Sequence, residues 1–178
     1  MGSSETPQLR AVLFDRDGTL VVDVPYNSDP GLVRAMPGAK GVLDSLRKRG
    51  LAVGVLSNQS GVARGILTEA EVASVNARVE ELLGPFDVWE VCPHGDTDGC
   101  ACRKPAPGMV HSACRRLGIH PFEAALIGDI GSDVRAAEAA GAKGVLVPTP
   151  VTRSEEITEA KLVARDLAGA VDLLLGDA

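Results

Sequence analysis

The sequence has no excess of basic residues: 18 Lys and Arg stand against 24 Asp and Glu, for a formal net charge of -6. Affinity for nucleic acid rests mainly on cations that neutralise backbone phosphates, so this balance argues against a nucleic-acid partner. A small anionic substrate needs only a few local cations and stays compatible. No apolar run reaches the roughly 18 to 20 residues that cross a bilayer, and Met1 to Arg10 has neither the basic start nor the apolar stretch of a signal peptide. A cytoplasmic protein with no membrane partner is therefore expected. Internal repeats, low-complexity tracts and linkers are missing as well. With 178 residues and 45% hydrophobic content, the chain can bury one core, so a single domain over residues 1–178 is expected. The oligomeric state stays open, with a monomer compatible.

What is present is an alternation. Apolar runs of strand length recur at Ala11 to Phe14, Leu51 to Leu56, Val88 to Val91, Ala124 to Ile127 and Gly144 to Val147. Between them, Ala39 to Arg49 places Val42, Leu43 and Leu46 on one helical face, and Glu69 to Leu83 keeps the 3.6 period behind Thr68, a good N-cap. Pro107 to Leu117, Ser132 to Ala140 and Ile157 to Leu175 supply three more predicted helices. Short buried strands alternating with helices predict an α/β fold, a doubly wound parallel sheet covered on both faces. Ligands of such sheets collect at the carboxyl ends of the strands. Two segments found there, Val24 to Met36 and Cys92 to Pro105, read as polar or proline-rich loops.

The first run leads straight into Asp15, Arg16, Asp17, Gly18 and Thr19. Two carboxylates two residues apart at a strand end repel unless a cation lies between them or one is protonated. A solvated Asp turn accounts for one aspartate and the glycine, but not for the strand placement or the Thr. The second run ends in Ser57 and Asn58, common turn residues that carry little weight alone. Lys104 stands before Pro105, and Pro107 suits the opening of a helix, so this cation is held at a defined junction. The fourth run ends in Gly128 and Asp129, with Asp133 four residues on; Asp133 also reads as a first-turn carboxylate favoured by the helix dipole.

Three of the four cysteines crowd between Cys92 and Cys102, while Cys114 stands apart as a buried thiol. Cys92, His94, Cys100 and Cys102 match a tetrahedral zinc site in ligand type and number, although not the commoner two-residue spacing. The competing reading is a disulfide, which between Cys100 and Cys102 would close a strained small ring in a reducing compartment. Four protein ligands would fill the coordination sphere, so such a zinc is structural.

In this order the motifs resemble the haloacid dehalogenase superfamily of phosphotransferases: DxDGT from Asp15 to Thr19, the hydroxyl motif at Ser57, Lys104, and GDxxxD from Gly128 to Asp133. The resemblance implies a Rossmann-like fold with Asp15 as nucleophile and Asp17 as general acid and base. Ser57 and Lys104 then hold the transferring phosphoryl group. It further implies Mg2+ bound by Asp15, Asp129 and the Asp17 carbonyl, with Asp133 orienting the metal shell or Lys104. The Cys-x-His and Cys-x-Cys loop ahead of Arg103, Lys104 and Pro105 is similar to that of the capless D-glycero-D-manno-heptose 1,7-bisphosphate 7-phosphatases, relatives of the histidinol-phosphate phosphatases. Asn58 to Gly65 follows the heptose-type NQSGIARG pattern rather than NQDG.

That narrower resemblance, which spans roughly Val12 to Val147, implies no large cap domain. It implies a small phosphorylated sugar substrate contacted by Asn58, Arg103 and Arg64. The activity implied is removal of the 7-phosphate in nucleotide-heptose biosynthesis; histidinol phosphate or another small metabolite is the alternative. Ser57 departs from the usual Thr but keeps the hydroxyl, Ile130 replaces a frequent Lys, and the zinc loop is short. A reading of another class, a receiver domain that holds its acyl phosphate, meets Asp17, an acid and base that would speed hydrolysis. A phosphatase of nucleic-acid ends meets the acidic charge. Tyr26 could line the substrate mouth or simply pack, Trp89 reads as core, and His111 and His120 read as ordinary structural or surface residues.

Overall fold

The computed structural model describes residues 8–176, so most of the Met1 to Arg10 segment lies outside the described residues. Five strands form one parallel sheet: β1 (Ala11–Phe14), β2 (Ala52–Asn58), β3 (Val88–Cys92), β4 (Ala124–Gly128) and β5 (Lys143–Leu146), in the order β3-β2-β1-β4-β5. The pairing is in step across the centre, with Phe14 beside Val55 on one side and Ile127 on the other. β2 runs two residues beyond its predicted end, so Ser57 and Asn58 belong to the strand itself.

Alternation along the strands builds two cores. Val12 and Phe14 point to one face with Val53, Val55, Ala125 and Ile127. There they meet Leu43 and Leu46 of α1 (Ala39–Lys48), Val75, Val79 and Leu83 of α2 (Glu69–Leu83), and α6 (Leu167–Leu175). Ala11 and Leu13 point the other way, toward Met109, Val110 and Ala113 of α3 (Gly108–Leu117) and Ala136 and Ala137 of α4 (Gly131–Ala140). Both central-strand faces are fully buried, and each large side chain so removed from water stabilises the fold by about 1.5 to 3 kcal/mol. The expected capping at Thr68 is present: its hydroxyl accepts from the Glu71 amide, and the Glu71 carboxylate accepts from the Thr68 amide.

The C-terminal region departs from the sequence expectation. One helix is predicted over Ile157 to Leu175; instead α5 (Ser154–Glu159) and α6 are separated by an extended segment. There the Leu146 amide donates to Leu162 and its carbonyl accepts from Ala164, both at 2.9 Å. Pairing with the β5 edge satisfies backbone groups that a helix would have used internally. Asp166 then restarts the helix, its side chain accepting from the Gly169 amide at 2.9 Å. Among the described residues no helix is long and apolar enough to cross a membrane.

Candidate active site

Because β1 is flanked by β2 and β4, their carboxyl ends put Asp15, Asn58 and Asp129 around one cavity of about 400 Å3. Asp17, Lys104 and Asp133 line it too. Lys104 is the hub. Its Nζ donates to Asp15 Oδ1 and to the Leu56 carbonyl, each at 2.7 Å, and lies 2.6 Å from Asp133 Oδ1. Its backbone is fixed from the strand: the Lys104 amide donates to Asn58 Oδ1 and Asn58 Nδ2 donates to the Lys104 carbonyl, both at 3.1 Å. The Asn58 side chain therefore spends its amide on the lysine loop. Burial disfavours a charged Lys104, but Asp133 and Asp15 outweigh it and raise the ammonium above the ordinary lysine range.

The carboxylates are short of positive charge. Burial, only partly offset by Lys104, combines with Asp133, Asp129 and Asp17 to hold Asp15 well above the usual carboxylate range. Burial and Asp133 push Asp129 up to about 7. Oxygens of Asp15, Asp129 and Asp133 lie within 4.8 Å of one another. Oxygen donors crowded in this way suit Mg2+, which takes one or two carboxylates and fills the remainder with water and phosphate oxygens. Gly18 keeps the space open: at φ 82, a Cβ there would collide with Asp129 Oδ2.

Several residues beyond those expected complete the surroundings. Arg16, only 2% exposed, forks onto Asp17 through Nε and Nη2, both at 3.0 Å, and its Nη1 donates to Asn76 of α2 at 2.7 Å. Gln59 Nε2 donates to Asp17 Oδ2 at 2.9 Å and to Ser57 Oγ at 2.8 Å. Ser57 is buried, its hydroxyl engaged with Gln59, and it is not among the residues on the cavity wall. Arg16 stands between the two motif aspartates and Gln59 beside Asn58, so both could have been suspected; Asn76, 60 residues from Arg16, carries no sequence signal. Asp129 is braced by the segment after β5. Thr152 Oγ1 donates to the Asp129 carbonyl at 2.6 Å and accepts from the Thr149 amide at 2.8 Å. Buried Glu156 accepts from the Gly131 amide at 3.1 Å.

Beside this cavity, Cys92, His94, Cys100 and Cys102 converge. Sγ atoms lie 3.1 Å (Cys92 to Cys102), 3.5 Å (Cys100 to Cys102) and 3.7 Å (Cys92 to Cys100) apart. His94 Nδ1 is 3.5 Å from Cys92 and 3.2 Å from Cys102. A tetrahedron with metal–sulfur bonds of about 2.3 Å needs ligand separations of roughly 3.5 to 3.8 Å. Three thiol sulfurs and one imidazole nitrogen at nearly that spacing, with all four cysteines free of disulfides, fit Zn2+. Arg103 pairs with Asp96 of the same loop and lines a neighbouring cavity of about 540 Å3 that shares Asn58, Ser60 and Lys104 with the first. Arg64 lies over the Tyr26 ring, 6.0 Å from its centre, and is on the wall of neither cavity. Trp89 packs edge-on against Phe86, partly buried, and His120 stacks on Phe122.

The fold has relatives among known proteins. A HAD-hydrolase-like family model matches residues 101–170. The D-glycero-beta-D-manno-heptose-1,7-bisphosphate 7-phosphatase of Bordetella bronchiseptica is 32% identical, covering 96% of this chain and 100% of that one. The protein of the same name from Pseudomonas putida is 34% identical over 90% of this chain and 96% of its own. Among solved structures, the D,D-heptose 1,7-bisphosphate phosphatase of B. bronchiseptica, complexed with magnesium and phosphate, superposes with a TM-score of 0.84 at 31% identity, covering 96% of this chain and 100% of that one.

Proposed function

Since the chain belongs to the haloacid dehalogenase-like phosphatases, we propose that it is a magnesium-dependent phosphomonoesterase that removes the 7-phosphate of D-glycero-D-manno-heptose 1,7-bisphosphate. The observation that carries this reading is the buried Lys104 paired with both Asp15 and Asp133 beside Asp129. Asp15 and Asp129, with the Asp17 carbonyl, would hold Mg2+, which supplies positive charge to the phosphoryl oxygens and to the crowded carboxylates.

The side chains divide the work. An Asp15 carboxylate oxygen attacks phosphorus as the bond to the sugar oxygen breaks, giving an aspartyl phosphate. Lys104 neutralises charge on Asp15 and the transferring group. Asp17 gives a proton to the departing sugar oxygen, then takes one from the water that hydrolyses the aspartyl phosphate and restores Asp15. Arg16 and Gln59 fix the direction of the Asp17 carboxylate. Asp133 is the counter-charge that holds Lys104 in place. Cys92, His94, Cys100 and Cys102 would hold a structural Zn2+, which orders the loop carrying Arg103 and Lys104.

Phosphate release from heptose 1,7-bisphosphate, mannose 6-phosphate and histidinol phosphate, with Mg2+ and with chelator, tests the reading. The bisphosphate should give the highest kcat/KM, and chelator should abolish turnover. Preference for histidinol phosphate would overturn the substrate; full activity in chelator would overturn the metal. Arg103→Ala should lower kcat/KM on the bisphosphate roughly tenfold or more while sparing a small aryl phosphate, because a charge-assisted bond to the distal phosphate is lost. Equal losses on both would make Arg103 a brace of its own loop.

A further inference from the structure

Tyr26 is a large side chain on the cavity wall that the chemistry leaves unused. Its backbone has φ 51, the one positive value at a non-glycine among the described residues. Residues with a side chain avoid that region, so the surroundings must hold it there. They do so on several sides. The Asn27 amide donates to the Val24 carbonyl at 3.2 Å, and the Asp29 amide to Asn27 Oδ1 at 2.9 Å, closing the loop around the residue. The ring lies so close to Gly61 that a Cβ there would be 2.8 Å from Tyr26 Cδ1. The Arg64 guanidinium lies over the ring at 6.0 Å. Yet the residue keeps 43% of its surface exposed.

An aromatic side chain that is seated and half open is set in place before any ligand arrives, so little freedom is lost on contact. The chemistry of the wall is divided. Asp15, Asp17, Asp129 and Lys104 supply charge at the strand ends that suits the phosphoryl group, whereas the consecutive Val24, Pro25 and Tyr26 make an apolar flank on the loop after β1, between Asp23 and Asn27. A leaving group bound here must offer an apolar face to that flank and hydroxyls elsewhere. A pyranose ring does both, because its axial hydrogens form a C–H face that rests on aromatic rings while its hydroxyls point outward. We propose that Tyr26 is a specificity-determining residue, the stacking platform for the sugar ring of the leaving group. The proposal rests on the phosphatase reading above and deepens it: the flank selects cyclic over acyclic phosphate esters.

The test compares two cyclic substrates, heptose 1,7-bisphosphate and mannose 6-phosphate, with acyclic glycerol 3-phosphate, all with Mg2+ present. Tyr26→Ala should lower kcat/KM for both cyclic substrates about tenfold, mainly through KM, and change glycerol 3-phosphate by less than about twofold. Tyr26→Phe, which keeps the ring, should stay near wild type. Tyr26→Leu, which keeps an apolar side chain but no flat ring, should reproduce the cyclic-selective loss should Tyr26→Ala prove poorly folded. Equal losses on cyclic and acyclic substrates, or no loss on either, would overturn the platform. Wild-type protein that hydrolyses mannose 6-phosphate but not the heptose bisphosphate would overturn the proposed substrate while leaving the ring comparison readable. Wild-type protein inert toward all three would overturn both.

Discussion

The two polar clusters of this molecule are built in opposite ways. The carboxylate and lysine cluster draws on residues far apart in the chain, Asp15, Lys104, Asp129 and Asp133, brought together because β1 lies between β2 and β4. The cysteine and histidine cluster comes from an eleven-residue stretch, Cys92 to Cys102, that leaves the end of one edge strand. The first needs the whole sheet to exist before it has any geometry. The second can gather its donors locally, and its position then depends on what ties the loop back to the sheet, above all the paired hydrogen bonds of Asn58 and Lys104. The carboxylates are thus seated on the strand ends, while the loop that lines the neighbouring cavity is tied to them through Lys104.

The largest expected effect separates chemistry from folding in the first cluster. Asp15→Asn should cut turnover by roughly a thousandfold or more, because an amide is not a nucleophile. Its melting temperature should stay at or above that of wild type, since a buried carboxylate short of positive charge has been neutralised. Phosphate release and thermal melts read the two sides; turnover near wild type would end the aspartyl-phosphate mechanism. The second cluster should behave the other way round. Cys100→Ser should lose zinc by elemental analysis and lower the melting temperature by about 10 °C, with activity falling as a consequence. Unchanged stability and full activity would show that this cluster holds no structural metal.

The same contrast decides what could be read from the sequence. The strand runs were legible because both faces of the sheet are buried and leave uninterrupted apolar stretches; Asp15 and Asp129 were legible because they follow those runs, and Lys104 because Pro105 and Pro107 mark its junction. The cysteine and histidine cluster was legible because it is local. What escaped was tertiary. Nothing near Asn76 announces that it accepts from Arg16, and Thr149, Thr152 and Glu156 reveal their hold on Asp129 and Gly131 only once β5 lies beside β4. The C-terminal helix, expected as one piece over Ile157 to Leu175, is interrupted where the Leu162 and Ala164 backbones pair with Leu146, a contact that exists only in the folded sheet.

Smaller perturbations sharpen the point that the first cluster depends on distant braces. Thr152→Val removes the hydroxyl that holds the Asp129 carbonyl at 2.6 Å. It should weaken Mg2+ binding about tenfold by titration calorimetry with little change in fold stability; an unchanged affinity would make the strap mere packing. The smallest effect concerns Glu156, held below the usual carboxylate range chiefly by its hydrogen bonds with Arg153. A depressed carboxylate contributes stability above its unfolded value of about 4.5, lost as pH falls through the lower folded value. Glu156→Gln should therefore melt a few degrees below wild type at pH 7, and the gap should narrow progressively as pH falls below 4.5. A gap that persisted in acid would assign the effect to shape rather than charge.

Gly95 to Gly99, between the two halves of the cysteine and histidine cluster, offers a consequence for engineering. Its flanks converge to within hydrogen-bonding distance of one another, at Cys92 and His94 on one side and Cys100 and Cys102 on the other. Because the cost of closing a loop grows only with the logarithm of its length, about 0.6 kcal/mol for each doubling, this span is a port for foreign sequence. Residues grafted between His94 and Cys100 would meet the solvent side of the entrance while Lys104 stayed tied to Asn58. The hydrolytic centre could then be given new tenants at its door without being rebuilt.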